Sequence, residues 1–201
     1  MRDEGYCKYQ CELTEEEILL PTDPTPFFQV RRALWKYGYI GQYDDGIGFG
    51  NLSFRSAPAS FFISATATGG KDRLSEDDIV EVMECDPYRN RVRARGKASP
   101  SSEAMTHWAI YEKCPACFAV IHVHSADLFS YLRKKSYPAT GAAVSYGTPA
   151  MAENISAVVD QSREGGVFYT PGHSEGVFAY GRDLLSTFQK LKHLRMECCN
   201  E

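Results

Sequence analysis

Between Asn51 and Arg95 the chain breaks into short runs of strand character: Asn51 to Arg55, Phe61 to Ser64, Ile79 to Glu84 and Arg89 to Arg95. Turn residues at Ala57-Pro58 and Asp86-Pro87 separate them pairwise, which predicts two strand pairs. On both sides of this block the period becomes helical. Thr22-Asp23-Pro24 is a helix start, because Thr or Asp can accept bonds from the orphan amides and Pro is tolerated in the first turn. Phe27, Val30, Ala33 and Leu34 then fall on one stripe, and the helix gives way in the glycine-rich segment Gly38 to Gly50. Pro100-Ser101-Ser102-Glu103 opens a second helix, with serine placed to cap it. The remaining pattern is a strand from Phe118 to His122, helices over Ala126 to Leu132 and Ala150 to Val159, strands at Gly166 to Tyr169 and Gly176 to Ala179, and a last helix from Asp183. Helices alternate with strands, and no repeat, low-complexity tract or linker interrupts them, so residues 1–201 are expected to form one layered α/β domain.

Composition narrows the partners. With 43% apolar and 24% charged residues the chain has the material for a core. A net charge of -4 provides no positive excess for a nucleic acid. Arg89, Arg91, Arg93 and Arg95 share one face of a strand at period two, a pattern expected to be solvated. The N-terminus MRDEGYCKYQCELTEEE lacks a signal-peptide core, and no run approaches the roughly 18 apolar residues of a membrane helix. The expectation is a cytoplasmic protein with no membrane partner. Seven cysteines, an odd and scattered number, are expected to be reduced thiols. Cys114-Pro-Ala-Cys117 has C-x-x-C spacing and could join Cys7 and Cys11 around a structural zinc, but Cys117 opens an apolar run and reads as a small core residue.

The chemistry-bearing residues come at the end of that run. In Ile121-His122-Val123-His124 the two histidines are two apart on a strand, so both rings leave the same face and can meet one cation. Taken alone, the pair fits a polar strand end equally well. His173, in the turn Tyr169-Thr-Pro-Gly-His-Ser-Glu175, offers a third imidazole, and three histidines with an open position are a catalytic pattern. His107 and His193 fall on helices and read as packing or surface residues. Glu103, at a helix start, is either a capping carboxylate or, beside a metal, a group able to move a proton.

In order, Gly50-Asn51-Leu-Ser, Ala67-Thr68-Gly69, Pro100-Ser-Ser-Glu103, His122-Val-His124 and Gly172-His173 resemble the class II aldolase/adducin family, which includes fuculose-phosphate aldolase and ribulose-phosphate 4-epimerase. The resemblance runs from the first helix to the last, roughly residues 25 to 195. It implies a three-layer α/β/α fold around a central, largely antiparallel sheet, assembled as a homotetramer. It further implies a divalent metal, zinc first with manganese, iron or cobalt as alternatives, on His122, His124 and His173, and Glu103 as the catalytic acid/base. Asn51, Thr68, Gly69, Ser101 and Ser102 inherit the substrate-phosphate cradle. The implied activity is aldolase-type cleavage of a small phosphorylated sugar through a metal-stabilised enediolate. Epimerisation, dehydration and a non-catalytic adducin-like interaction module are the alternatives. The segment Lys134 to Gly147 lacks the tyrosine aligned there in fuculose-phosphate aldolase.

Overall fold

The computed structural model describes residues 7–20, 23–57, 60–173 and 175–200. Thr22, Pro58 and Ser174, named above as helix-start and turn residues, lie outside them. The first helix, α1 (Thr25–Lys36), starts where the Asp-Pro pair places it. Asp23 Oδ1 accepts bonds from the Thr25 amide and hydroxyl, at 2.9 and 2.6 Å. This turn leads into the helix, whose N-cap is Pro24 and has no side-chain cap bond.

The described residues form ten strands. Eight of them, β1 (Gln10–Glu15), β4 (Asn51–Ala57), β5 (Ser60–Ser64), β6 (Ile79–Asp86), β7 (Arg91–Gly96), β8 (Ala119–His124), β9 (Gly165–Thr170) and β10 (Gly176–Gly181), form one sheet in the order β1-β7-β6-β5-β4-β8-β10-β9. Every pairing is antiparallel except β1 with β7. The other two, β2 (Gly41–Gln42) and β3 (Gly48–Phe49), make a small hairpin inside the stretch expected to be loop. The sheet is covered on both faces. Helices α2 (Ala104–Lys113) and α4 (Pro149–Val158) bring Met105, Ile110, Met151 and Ile155 to one core. Helix α1, with α3 (Ala126–Lys134) and α5 (Leu184–Cys199), brings Phe27, Leu34, Leu128 and Leu191 to the other. The three-layer α/β/α fold is therefore present, with its largely antiparallel sheet in the middle.

Side-chain alternation on β8 decides where the chemistry sits. Ile121 and Val123 belong to the core under α1, α3 and α5, whereas Val120 belongs to the core under α2 and α4. His122 and His124 share the parity of Val120 and so project toward the α2 and α4 layer. In register, Asn51 of β4 and Phe178 of β10 flank His122, and Gly176 pairs with His124.

Four expectations need correction. The polar lead contains β1, which pairs in parallel with β7 because Cys11 and Leu13 pack on the core while the acidic side chains between them meet arginines. Arg91, Arg93 and Arg95 share a partly exposed strand face, as expected, and form ion pairs there: Arg91 with Glu12 at 3.2 Å, Arg93 with Glu84 at 2.7 Å, and Arg95 with Glu81 at 2.5 Å. The exposed pairs each stabilise by about 0–1 kcal/mol. Arg89 lies before the strand, in the turn, with Asp86. The histidine pair lies within β8, two residues beyond the expected strand end, because His122 and His124 remain paired with β10. Finally, Cys114 and Cys117 are joined as a disulfide, since the Cys-Pro-Ala-Cys turn brings their Cα atoms to 5.4 Å. Arg55 holds that turn through the carbonyls of Cys114, Pro115 and Cys117.

Candidate active site

The inward face of β8 meets the start of α2 and the β9–β10 turn at a cleft of about 180 Å³. His122, His124 and His173 stand together there, 1%, 4% and 6% exposed, with one ligand atom of each within 4.8 Å of the others. The His124 Nε2 lies 3.1 Å from His122 Nε2 and 2.8 Å from His173 Nε2. Nitrogens about 2.0–2.1 Å from a tetrahedral zinc would stand about 3.3 Å apart, so the spacing is that of a ligand set. The tautomers agree. His122 Nδ1 faces the Val177 carbonyl at 3.2 Å, which can only accept, so this nitrogen carries the proton and Nε2 presents a lone pair. Tyr43 Oη lies 3.0 Å from His124 Nδ1 and can accept a proton bond in the same way. Lone pairs converging in this way repel one another unless a positive charge lies between them, and burial together with the neighbouring histidines holds His122 well below the usual imidazole pKa. A neutral, buried set of this kind fits a divalent cation.

Glu103, 2% exposed, stands over the three rings: its Oε1 is 3.9 Å from His122 Nε2 and 3.7 Å from His173 Nδ1. Helix geometry puts Thr106 three residues on, and its hydroxyl donates to Glu103 Oε2 at 2.6 Å. One carboxylate oxygen is thus clamped while the other faces the histidines. Ser101 Oγ accepts the Glu103 amide at 3.3 Å and so shapes the turn before α2, but the N-cap is Glu103 and has no side-chain cap bond, so the expected serine cap is not formed. Tyr9 donates to the Ser101 carbonyl at 2.8 Å, tying the N-terminal segment to this turn.

The five expected anion contacts also line the cleft, but not all in the way their side chains suggest. The Thr68 hydroxyl donates to the Ala65 carbonyl at 2.8 Å, so it has no proton left for a ligand. Gly69 lacks a Cβ because one there would overlap the Gly41 carbonyl of the β2–β3 hairpin. These two residues therefore offer backbone amides. Ser102 is half-buried at the cleft, and Asn51 is buried beside it with its Oδ1 lacking a hydrogen-bond partner among the described residues.

Four neighbours were not legible beforehand. Phe178 stacks on His122 with centroids 4.1 Å apart and planes 17° apart. Tyr146, 1% exposed, lines the cleft and meets His173 edge to face at 4.7 Å; it lies inside the segment Lys134 to Gly147, so a tyrosine does reach the site from the stretch expected to lack one. Tyr43 comes from the β2–β3 turn, and Arg31 from α1 reaches the loop after Ala67. Only Thr106, three residues after Glu103, carried a signal in its spacing. His107 packs as expected: it is fully buried, bonds Ser53 Oγ at 2.7 Å, and burial lowers its pKa to about 3. His193 is exposed. Among the described residues no cysteine joins a metal-like group, and no helix is long and apolar enough to cross a membrane.

The chain is similar to several sugar-phosphate enzymes. It is 30% identical over 115 residues to the probable L-ribulose-5-phosphate 4-epimerase UlaF of Mycoplasma pneumoniae, covering 57% of this chain and 44% of that protein, so it spans less than half of that relative's length. To the 3-oxo-tetronate 4-phosphate decarboxylase of Haemophilus influenzae it is 25% identical over 203 residues, 91% of this chain and 84% of the other. The crystal structure of L-fuculose-1-phosphate aldolase from Thermus thermophilus superposes with a TM-score of 0.61 at 20% identity, over 87% of this chain and 89% of that one, which supports the fold. The model of the class II aldolase and adducin N-terminal domain matches residues 28–199, from α1 to the end of α5, and the chain belongs to that family.

Proposed function

We propose that the protein is a divalent-metal-dependent lyase of the aldolase type, acting on a small phosphorylated sugar. The observation that carries this reading is the convergence of three histidine Nε2 atoms beneath Glu103 in a cleft whose rim offers amides and hydroxyls. His122, His124 and His173 would hold the ion, with zinc first and manganese, iron or cobalt as alternatives set by availability. When bound, the ion supplies Lewis-acid polarisation of a hydroxy-carbonyl group and offsets the negative charge that develops there.

The chain's own residues do the rest. In aldol cleavage a base takes the proton of the hydroxyl β to the carbonyl, and the Cα–Cβ bond breaks to release an aldehyde. The electron pair of that bond moves onto the carbonyl oxygen, and the new α carbon then takes up a proton. Glu103 is the group placed to move these protons, because Thr106 fixes one of its oxygens and directs the other toward the histidines. Asn51, the amides of Thr68 and Gly69, Ser101 and Ser102 orient the phosphate. Decarboxylation is the second reading. It follows the same electron flow with carbon dioxide leaving, and the decarboxylase relative aligns over 91% of this chain. Epimerisation and dehydration reuse the same proton transfers.

We place the protein in the cytoplasm, as a single domain that works as a homotetramer. Sedimentation is expected to find four chains, and an active monomer would end that part of the reading.

The test of the reaction class is turnover of a panel of phosphorylated ketoses and 3-oxo acids beside their unphosphorylated counterparts. Phosphorylated compounds are expected to react and inorganic phosphate to compete with them. Equal turnover of unphosphorylated compounds without phosphate inhibition would remove the cradle assignment.

Tyr43 gives a further expectation. By accepting His124 Nδ1–H it holds that ring in the tautomer that ligates through Nε2. Tyr43→Phe is expected to weaken zinc binding about 10- to 100-fold in chelator competition. Unchanged affinity would leave Tyr43 as a partner for Phe49, on which its ring packs at 4.5 Å.

A further inference from the structure

Arg31 is 1% exposed on α1, yet among the described residues no carboxylate lies within ion-pair distance of it. Its Nη2 donates instead to three carbonyls of one loop, those of Thr68 at 2.8 Å, Gly69 at 3.1 Å and Lys71 at 2.8 Å, and its Nη1 has no hydrogen-bond partner among the described residues. Burial lowers its pKa to about 10, so it remains a cation at neutral pH. Asp78 and Asp72 act on it only at longer range, so the guanidinium is buried without a direct ion pair, which is costly.

The far side of the same loop shows what the charge faces. Ala67 takes a left-handed conformation with φ 57°, and the amides of Ala67, Thr68 and Gly69 have no hydrogen-bond partner among the described residues. All three residues line the cleft. Successive unpaired amides around a left-handed residue make an anion-binding concavity. The Thr68 carbonyl, drawn back to the guanidinium, turns the amide of the same peptide unit, that of Gly69, the other way.

We propose that Arg31 is the positioning residue of this anion loop and the source of its positive potential: it holds the Thr68 carbonyl from behind, which aims the Gly69 amide of the same peptide unit, and braces the loop so that the neighbouring amides of Ala67 and Thr68 receive the substrate's phosphate with it, without any basic side chain touching it. The proposal rests on the reading that the substrate is phosphorylated. It explains why the cleft has no lysine or arginine among its lining residues although it is expected to take an anion.

The test is calorimetric titration of inorganic phosphate into the whole metal-loaded chain, wild type against Arg31→Lys and Arg31→Met, with zinc affinity measured in parallel. Wild type is expected to bind phosphate, and both variants to bind it about 10- to 100-fold more weakly, the scale of a lost charge-assisted hydrogen bond. Zinc affinity is expected to stay at the wild-type value, because the histidines are untouched. If Arg31→Met fails to fold, Arg31→Lys decides: it keeps the charge but has a single nitrogen for three carbonyls. Variants that bind phosphate as wild type does would overturn the role of Arg31 and leave the phosphate reading standing. A wild type that binds no phosphate would overturn both. Zinc and phosphate affinities falling together would show a residue that only supports the fold.

Discussion

Glu103→Gln is expected to lower turnover by about two to four orders of magnitude while the chain keeps its fold and at least part of its metal. Glutamine fills the same space and its amide oxygen can still accept the Thr106 hydroxyl, which bonds Glu103 Oε2 at 2.6 Å. What it lacks is a group that takes and returns a proton. A helix-start residue with a purely capping role predicts the reverse, a loss of about 1 kcal/mol of stability with activity intact. Steady-state kinetics and thermal denaturation on the same preparation separate the two. A variant with wild-type kcat would reduce Glu103 to a capping residue.

The second large effect concerns the ion. Alanine at His122, His124 or His173 removes one of three nitrogens that meet at 2.8 and 3.1 Å around His124. Each substitution is expected to cost more than the about 10- to 100-fold that changes outside the ligand set produce, and so to leave most of the metal behind on purification. His193→Ala, an exposed change on α5, is the matching control and should keep its metal. Elemental analysis of the four variants beside wild type checks this. Metal content unaltered in the three cleft variants would rule out the site.

Much of this arrangement was readable from local pattern. The period-two face of β8 put His122 and His124 side by side, because strand alternation is a local property. Asp23 and the serines before α2 announced helix starts by the same local logic. What stayed hidden depends on contacts far apart in sequence. The strand β1 reads as a polar tail, since only pairing with β7 gives its glutamates partners and Leu13 a core. Tyr43 and Tyr146 lie in glycine-rich or irregular segments, where no periodicity says which way a ring points. Arg31 lies on the buried stripe of α1, at helical spacing from Phe27 and Leu34, yet nothing local says that the loop beyond Ala67 folds over it. The Cys114–Cys117 bond depended on the turn geometry that Arg55 holds, not on cysteine count.

A divalent ion on the three histidines would make this cleft reactive toward phosphorylated sugars. The most direct test is turnover of the phosphorylated panel by one preparation before chelation, after removal of the metal, and after addition of zinc, manganese or cobalt. The account predicts activity that falls to background on stripping, while the fold persists, and that returns with at least one of the three ions. Activity that survives complete removal of the metal would contradict it.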